Sequence, residues 1–189
     1  MKKYKNHIEL WDTSLITDMS NLFFGKSKFN EDINNWNVSN VIDMENMFYN
    51  AFSFNQPLDK WNISKVKNMK SMFRNSRAFK QSLNDWNVSN VITMESMFQR
   101  AESFNQSLNN WLVMNACECV KIFLHADLFN INENAPWLYE TLNYISNYDS
   151  YDSDYPVSSD GSIDNSNFDL LDINNVLNNG SIDNSNFDL

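Results

Sequence analysis

The sequence is short of the two residues that usually turn a chain, with 3 glycines and 3 prolines in 189 residues. An ordinary domain carries about 7% and 5% of them. Asparagine, at about one residue in six, takes their place, because it tolerates left-handed backbone and bonds its side chain to nearby backbone groups. Long apolar runs are missing too. No stretch approaches the ~20 apolar residues of a membrane-spanning helix, and the start, MKKYKNHIELWDTS, has no apolar core of the kind a signal peptide needs. Basic residues vanish from the last quarter of the chain. All 14 Lys and Arg fall in residues 1–140 beside 15 acids, whereas 141–189 hold 9 acids and no base. A body at −1 and a tail at −9 offer no electrostatic footprint for nucleic acid.

Cysteine is confined to Cys117 and Cys119. A disulfide across so short a loop is sterically poor, and two cysteines make no framework. With His125 the only histidine close by, a zinc site would be short of ligands. Both are therefore expected to be buried thiols. Catalytic groupings are also absent: there is no glycine-rich phosphate loop, no paired carboxylates and no Cys–His arrangement. His7 and His125 sit in no motif with a nucleophile. Catalysis needs unlike groups converging on one point with their pKa values set apart. The expectation is a protein that is not an enzyme and that takes no cofactor and no metal.

What the sequence does have is a repeat. Trp11, Trp36, Trp61, Trp86 and Trp111 stand 25 residues apart, and a fixed period of this kind decides the architecture. Other columns keep the register. Met19, Met44, Met69 and Met94 form one, and Phe23, Phe48, Phe73, Phe98 and Phe123 another. Phe29, Phe54, Phe79, Phe104 and Phe129 make a second aromatic column, and Ile33, Leu58, Leu83 and Leu108 close the set. The units run 11–35, 36–60, 61–85, 86–110 and a degenerate 111–135, where Met114, Ala116 and Cys119 replace Ser, Val and Met.

Within a unit, Met44–Ala51 (MENMFYNA) has apolar steps of three and four and predicts a short helix. Leu58–Val66 sets Trp, Ile and Val among polar residues and predicts a short strand. One strand and one helix per unit is the geometry of a leucine-rich-repeat coil. No unit can bury its own apolar side, so stacking must make a continuous core. The expected fold is an α/β repeat: a right-handed, leucine-rich-repeat-like solenoid over residues 1–147. Ile8 and Leu10 are expected to cover its first coil. Trp137, Leu138, Leu142 and Ile145 should line a C-terminal capping helix that begins near Pro136.

The unit WNVSNVIDMENMFYNAFSFNQPLDK at residues 36–60 resembles the repeats of BspA-family leucine-rich-repeat surface proteins, in the branch found in mycoplasma-type lipoproteins and in large DNA viruses. The shared pattern W-[DN]-V-S-x-V-x-x-M-x-x-MF-x-x-A-x-x-FNQ-x-L spans about residues 9–130. The resemblance implies a surface or interaction protein and carries over no catalytic residue. The chain departs from the bacterial pattern in lacking a lipoprotein signal and lipobox cysteine.

From residue 148 the composition turns to Asp, Ser, Asn and Tyr, and GSIDNSNFDL occurs at 161–170 and again at 180–189. Low hydrophobicity with charge of one sign predicts a disordered acidic tail. Asp149, Asp152, Asp154 and Asp160 lack the spacing and glycine of a calcium loop. The variable polar positions Asn34, Asp59, Asn84 and Asn109, with Ser20, Glu45, Lys70 and Glu95, are expected to face outward as an interaction surface for a protein partner. Two other readings stand beside it. Equivalent units could self-assemble end to end, or a ladder of exposed indoles about 4.8 Å apart could stack on sugar rings. Against the ladder, Trp is expected to be the largest core residue of each unit, as in Trp36, Trp61 and Trp86.

Overall fold

A computed structural model describes residues 7–114, 117–139 and Thr141. The acidic segment, Leu142, Ile145 and Ala116 lie outside the described residues. The 25-residue units lie on one another in register. Parallel bridges join Asp18 to Asp43, Asp43 to Asn68, Asn68 to Thr93 and Thr93 to Glu118, one at each step. Beside each bridge a run of backbone donors reaches the next unit. The N–H groups of Met44, Asn46, Phe48 and Asn50 donate to the carbonyls of Asn68, Lys70, Met72 and Arg74 at 2.9–3.0 Å.

The residues between those donors turn inward instead: Met47 N–H bonds Met44 O, Tyr49 bonds Asn46 O, and Ala51 bonds Phe48 O. This alternation corrects the expected helix. An α-helix over Met44–Ala51 would turn the N–H groups of Phe48 and Asn50 back to the carbonyls of Met44 and Asn46, taking them from the neighbouring unit. Left-handed backbone at Asn46 (φ 53°) and Asn50 (φ 58°) breaks the helical path. Among the described residues of 11–130 there is no helix, and the expected strand is likewise replaced by single bridges and turns. Ile8–Leu10 and Ile131–Asn134 are helices that flank the repeats, and residues 137–139, where the capping helix is expected, are helical with Leu138 buried.

The left-handed pairs recur at 21 and 25, 46 and 50, 71 and 75, 96 and 100, and 121 and 125. Half of these ten sites hold Asn or Gly, the residues that tolerate such backbone, but the fourth pair is Ser96 and Arg100 and the fifth Lys121 and His125. Asn75 Nδ2 donates to Asn50 Oδ1 at 2.6 Å, an amide pair that Arg100, at the next second site, does not continue. Arg100→Asn is expected to stabilise the chain by about 0.5–1 kcal/mol by removing left-handed strain. A urea midpoint that falls rather than rises would contradict this account of the turn.

Every apolar column points inward. Phe48, Phe73 and Phe98 stack at 5.3 and 5.6 Å, and Phe54, Phe79 and Phe104 at 5.9 and 6.0 Å. Within a unit the two columns touch, as at Phe73 and Phe79, whose centroids are 4.2 Å apart. Polar side chains fix the register from outside. Asn55 N–H bonds Asn30 Oδ1 and Lys80 N–H bonds Asn55 Oδ1, at 2.8 and 3.0 Å. Asn37, Asn62 and Asn87 each accept from the backbone N–H two residues on, the Asx turn that replaces glycine and proline.

The ends differ. At the first unit Ile8 packs against the core, and its carbonyl accepts from Trp36 Nε1 at 2.9 Å. Leu10, expected to share that contact, is exposed. In the last unit the register slips by one residue at Met114–Cys117 and is regained where Glu118 bridges Thr93. Cys117, 26 residues after Val91, is buried, and its N–H bonds Met114 O as the Val91 N–H bonds Val88 O. Trp137 adds a sixth indole 26 residues after Trp111, stacked on it at 6.0 Å. The Cys119 thiol donates to Cys117 Sγ at 3.5 Å. This bond and burial hold Cys119 well above the usual thiol range. Both thiols are free and buried. Cys119 should therefore resist alkylation even at a pH that ionises an exposed cysteine. Counting thiols with and without guanidinium checks this, and rapid labelling of the native chain at Cys119 would refute it.

Candidate interaction surface

The indoles offer no platform to a ligand. Trp36, Trp61, Trp86 and Trp111 are buried, and their Nε1 groups donate to the carbonyls of Ile8, Ile33, Leu58 and Leu83 at 2.8–3.1 Å. Where the stacking is seen, as in Trp61 on Trp86, the centroids are 6.4 Å apart rather than 4.8. This corrects the sugar-ladder reading: an indole covered on both faces and bonded at its edge has nothing left for a glycan. Among the described residues the one exposed indole of the column is Trp11, 48% exposed at the open first unit.

The polar positions read from the sequence divide. Asn34 is buried, a correction to its expected place on the surface. Its Nδ2 donates to Asp59 Oδ1 at 2.8 Å and its Oδ1 accepts from Lys60 N–H at 3.1 Å, so it staples one unit to the next. Asn84 Oδ1 does the same for Asn110 N–H, and Asn109 Nδ2 bonds Glu133 O. Asp59 and Asn109 are exposed. Ser20, Glu45, Lys70 and Glu95 form a separate half-buried row in which Lys70 pairs with Glu95. The Glu95 hydrogen bond raises the Lys70 pKa. Glu45 accepts from Asn46 and Asn68. Among the described residues no hydrogen bond or ion pair joins the two sets, so they make two surfaces rather than one.

A third surface escaped the sequence reading. At the turn after the buried Phe of each unit, side chains stack outside the core as they do inside it. Phe24 lies on Tyr49 at 4.9 Å, and the Arg74 guanidinium lies over Tyr49 at 5.3 Å. Three residues along, Arg77 covers Phe52 at 5.1 Å. Arg77 Nε also bonds Asn75 Oδ1, on the residue next to Arg74, and pairs with Glu102, so the two stacks stand on one turn and form a strip. Phe24 and Phe52 remain 47% and 38% exposed. Gln99, next after Arg74 in the column, is buried with no hydrogen-bond partner for its Oε1 among the described residues. The turn segments 24–31, 49–56, 74–81, 99–106 and 124–131 carry six cations and three acids, so this corner is positive in a body that is not. The sequence did hold a signal, because Phe24, Tyr49 and Arg74 are 25 residues apart. The column changes residue type at every step, and that made it look like unpatterned surface.

Among the described residues no group of three metal-ligating side chains converges on a point, and no helix is long and apolar enough to cross a membrane. A family model described as Mycoplasma protein of unknown function, DUF285, matches residues 1–111 and again 61–151. No curated protein and no solved structure matches the chain.

Proposed function

We propose, from the premise that this chain belongs to the DUF285 family of Mycoplasma proteins of unknown function, that it works by non-catalytic protein–protein interaction through the outer face of its repeats. The observation that carries the reading is the aromatic–arginine strip of Tyr49, Phe52, Arg74 and Arg77. Arg and aromatic side chains are the residues enriched at interface hot spots, and a register-locked stack holds them at little further entropic cost on binding. In the same reading the stack is a right-handed, leucine-rich-repeat-like solenoid of the BspA type, acting at a cell or virion surface, with no catalytic role. Capture of a partner from the native host by the full chain tests this. The R74E/R77E chain should lose that partner while keeping its melting temperature, because both side chains lie outside the core. Equal retention by both chains would move the interface elsewhere.

A second reading, end-to-end self-association, has one observation in its favour. The first unit exposes Trp11, Ile16 and Leu22, the ends of columns that every later unit covers. Sedimentation across a hundredfold range of concentration separates the two readings. A self-assembler grows with concentration, and a partner-binding monomer does not.

A further inference from the structure

We infer that the strip's resident occupant is the chain's own acidic segment, through its two copies of Asn-Phe-Asp-Leu. The inference rests on the interaction reading of the strip and names the chemistry that fits it. Three observations converge. The turn corner carries six cations against three acids, and residues 141–189 carry nine acids and no base. The corner's cations lie beside aromatic rings, and each copy of the motif sets an acid between a ring and an apolar side chain: Phe168-Asp169-Leu170 and Phe187-Asp188-Leu189. There are two arginine–aromatic clamps, at Arg74 on Tyr49 and Arg77 on Phe52, and two copies of the motif.

The chemistry of the match is specific. An Arg stacked on a ring keeps its terminal guanidinium N–H groups for a carboxylate, and at Arg77 the bonds to Asn75 and Glu102 use Nε, so Asp169 and Asp188 can pair at the terminal groups while the following Leu covers an exposed ring such as Phe52. Reach is no obstacle. Twenty-seven residues lead from Thr141 to Phe168, and a chain of that length spans about 29 Å even when randomly coiled. The unit holding Arg74 lies two steps of about 4.8 Å from the last one. Two tethered copies raise the local concentration of the motif to the millimolar range, so a weak single contact suffices.

The test uses the full chain, labelled with nitrogen-15. In low salt the amide resonances of Asp169, Leu170, Asp188 and Leu189 are expected to shift on going from the parent to R74E/R77E, and to move the same way in 0.5 M NaCl, where charge pairs are screened. From the other side, F168A/F187A should move the Arg74 and Arg77 Nε–H resonances and leave the core amides in place. These two substitutions lie outside the repeats, which keeps the test clear of folding defects. Tail resonances indifferent to R74E/R77E, or shifts that disappear on tenfold dilution, would overturn docking within one chain. If those resonances are indifferent and R74E/R77E still abolishes capture of an outside partner, the occupant is wrong and the interaction reading stands.

Discussion

Phe73→Ala is expected to lower the unfolding free energy by about 3–5 kcal/mol, the usual cost of truncating a fully buried aromatic residue. The ring has no exposed surface and stacks on Phe48, Phe98 and Phe79 at 5.3, 5.6 and 4.2 Å. Its surroundings cannot close over the gap, because the Phe73 N–H is pinned to Met97 O and the Phe48 N–H to Met72 O, each at 2.9 Å. A cavity that stays open puts the loss toward the upper end of the range. A domain is stable by only about 5–15 kcal/mol, so the variant should sit close to its folding threshold. Guanidinium melts of the parent, Phe73→Ala and the end-column Phe23→Ala would measure it. A loss below about 1 kcal/mol at Phe73 would mean that the ring columns are not the core.

Trp61→Ala should cost a similar 3–5 kcal/mol, for two separable reasons. The indole stacks on Trp86 at 6.4 Å with the planes 3° apart, and it leans on Phe48 at 6.4 Å. Its Nε1 also satisfies the carbonyl of Ile33 at 3.1 Å, in the interior. Trp61→Phe keeps much of the apolar contact and removes one of the two hydrogen bonds that carbonyl accepts, the Trp36 N–H bond remaining, at about 0.5–1.5 kcal/mol. Trp11→Ala removes an indole that is covered on one side only, and its effect should be smaller than either. The expected order of melting midpoints is thus Trp11→Ala highest, then Trp61→Phe, then Trp61→Ala. If Trp61→Ala melts like Trp11→Ala, the central indoles are surface groups after all.

The positions of these rings were legible from spacing, because a buried side chain in a stack must match the copy above and the copy below. Three things were hidden for identifiable reasons. Alternating turns leave Val41, Met44, Met47, Phe48 and Ala51 with the same three-and-four steps as a helix. Only the left-handed residues tell the two apart, and Ser71, Ser96 and Arg100 mask that signal by standing where Asn stands elsewhere. Asn34 looked like surface because it is polar, yet its amide finds both partners in the next unit, Asp59 and the Lys60 N–H. Trp137 looked like part of a separate cap because it comes 26 residues after Trp111 and not 25.

That extra residue, with the shift that seats Cys117 among the buried side chains, shows how this molecule is able to change length. Inside the stack a slip of one residue would pull Lys80 N–H away from Asn55 Oδ1 and turn whole columns outward, so variation there must come in complete units. At the last step no further unit has to match, and single-residue slips are absorbed. The stack behaves like a ruler whose interior graduations are fixed and whose final mark alone is free to move. Gain or loss of a unit would change the length of the outer strip by one graduation and leave the chemistry of every remaining junction as it was.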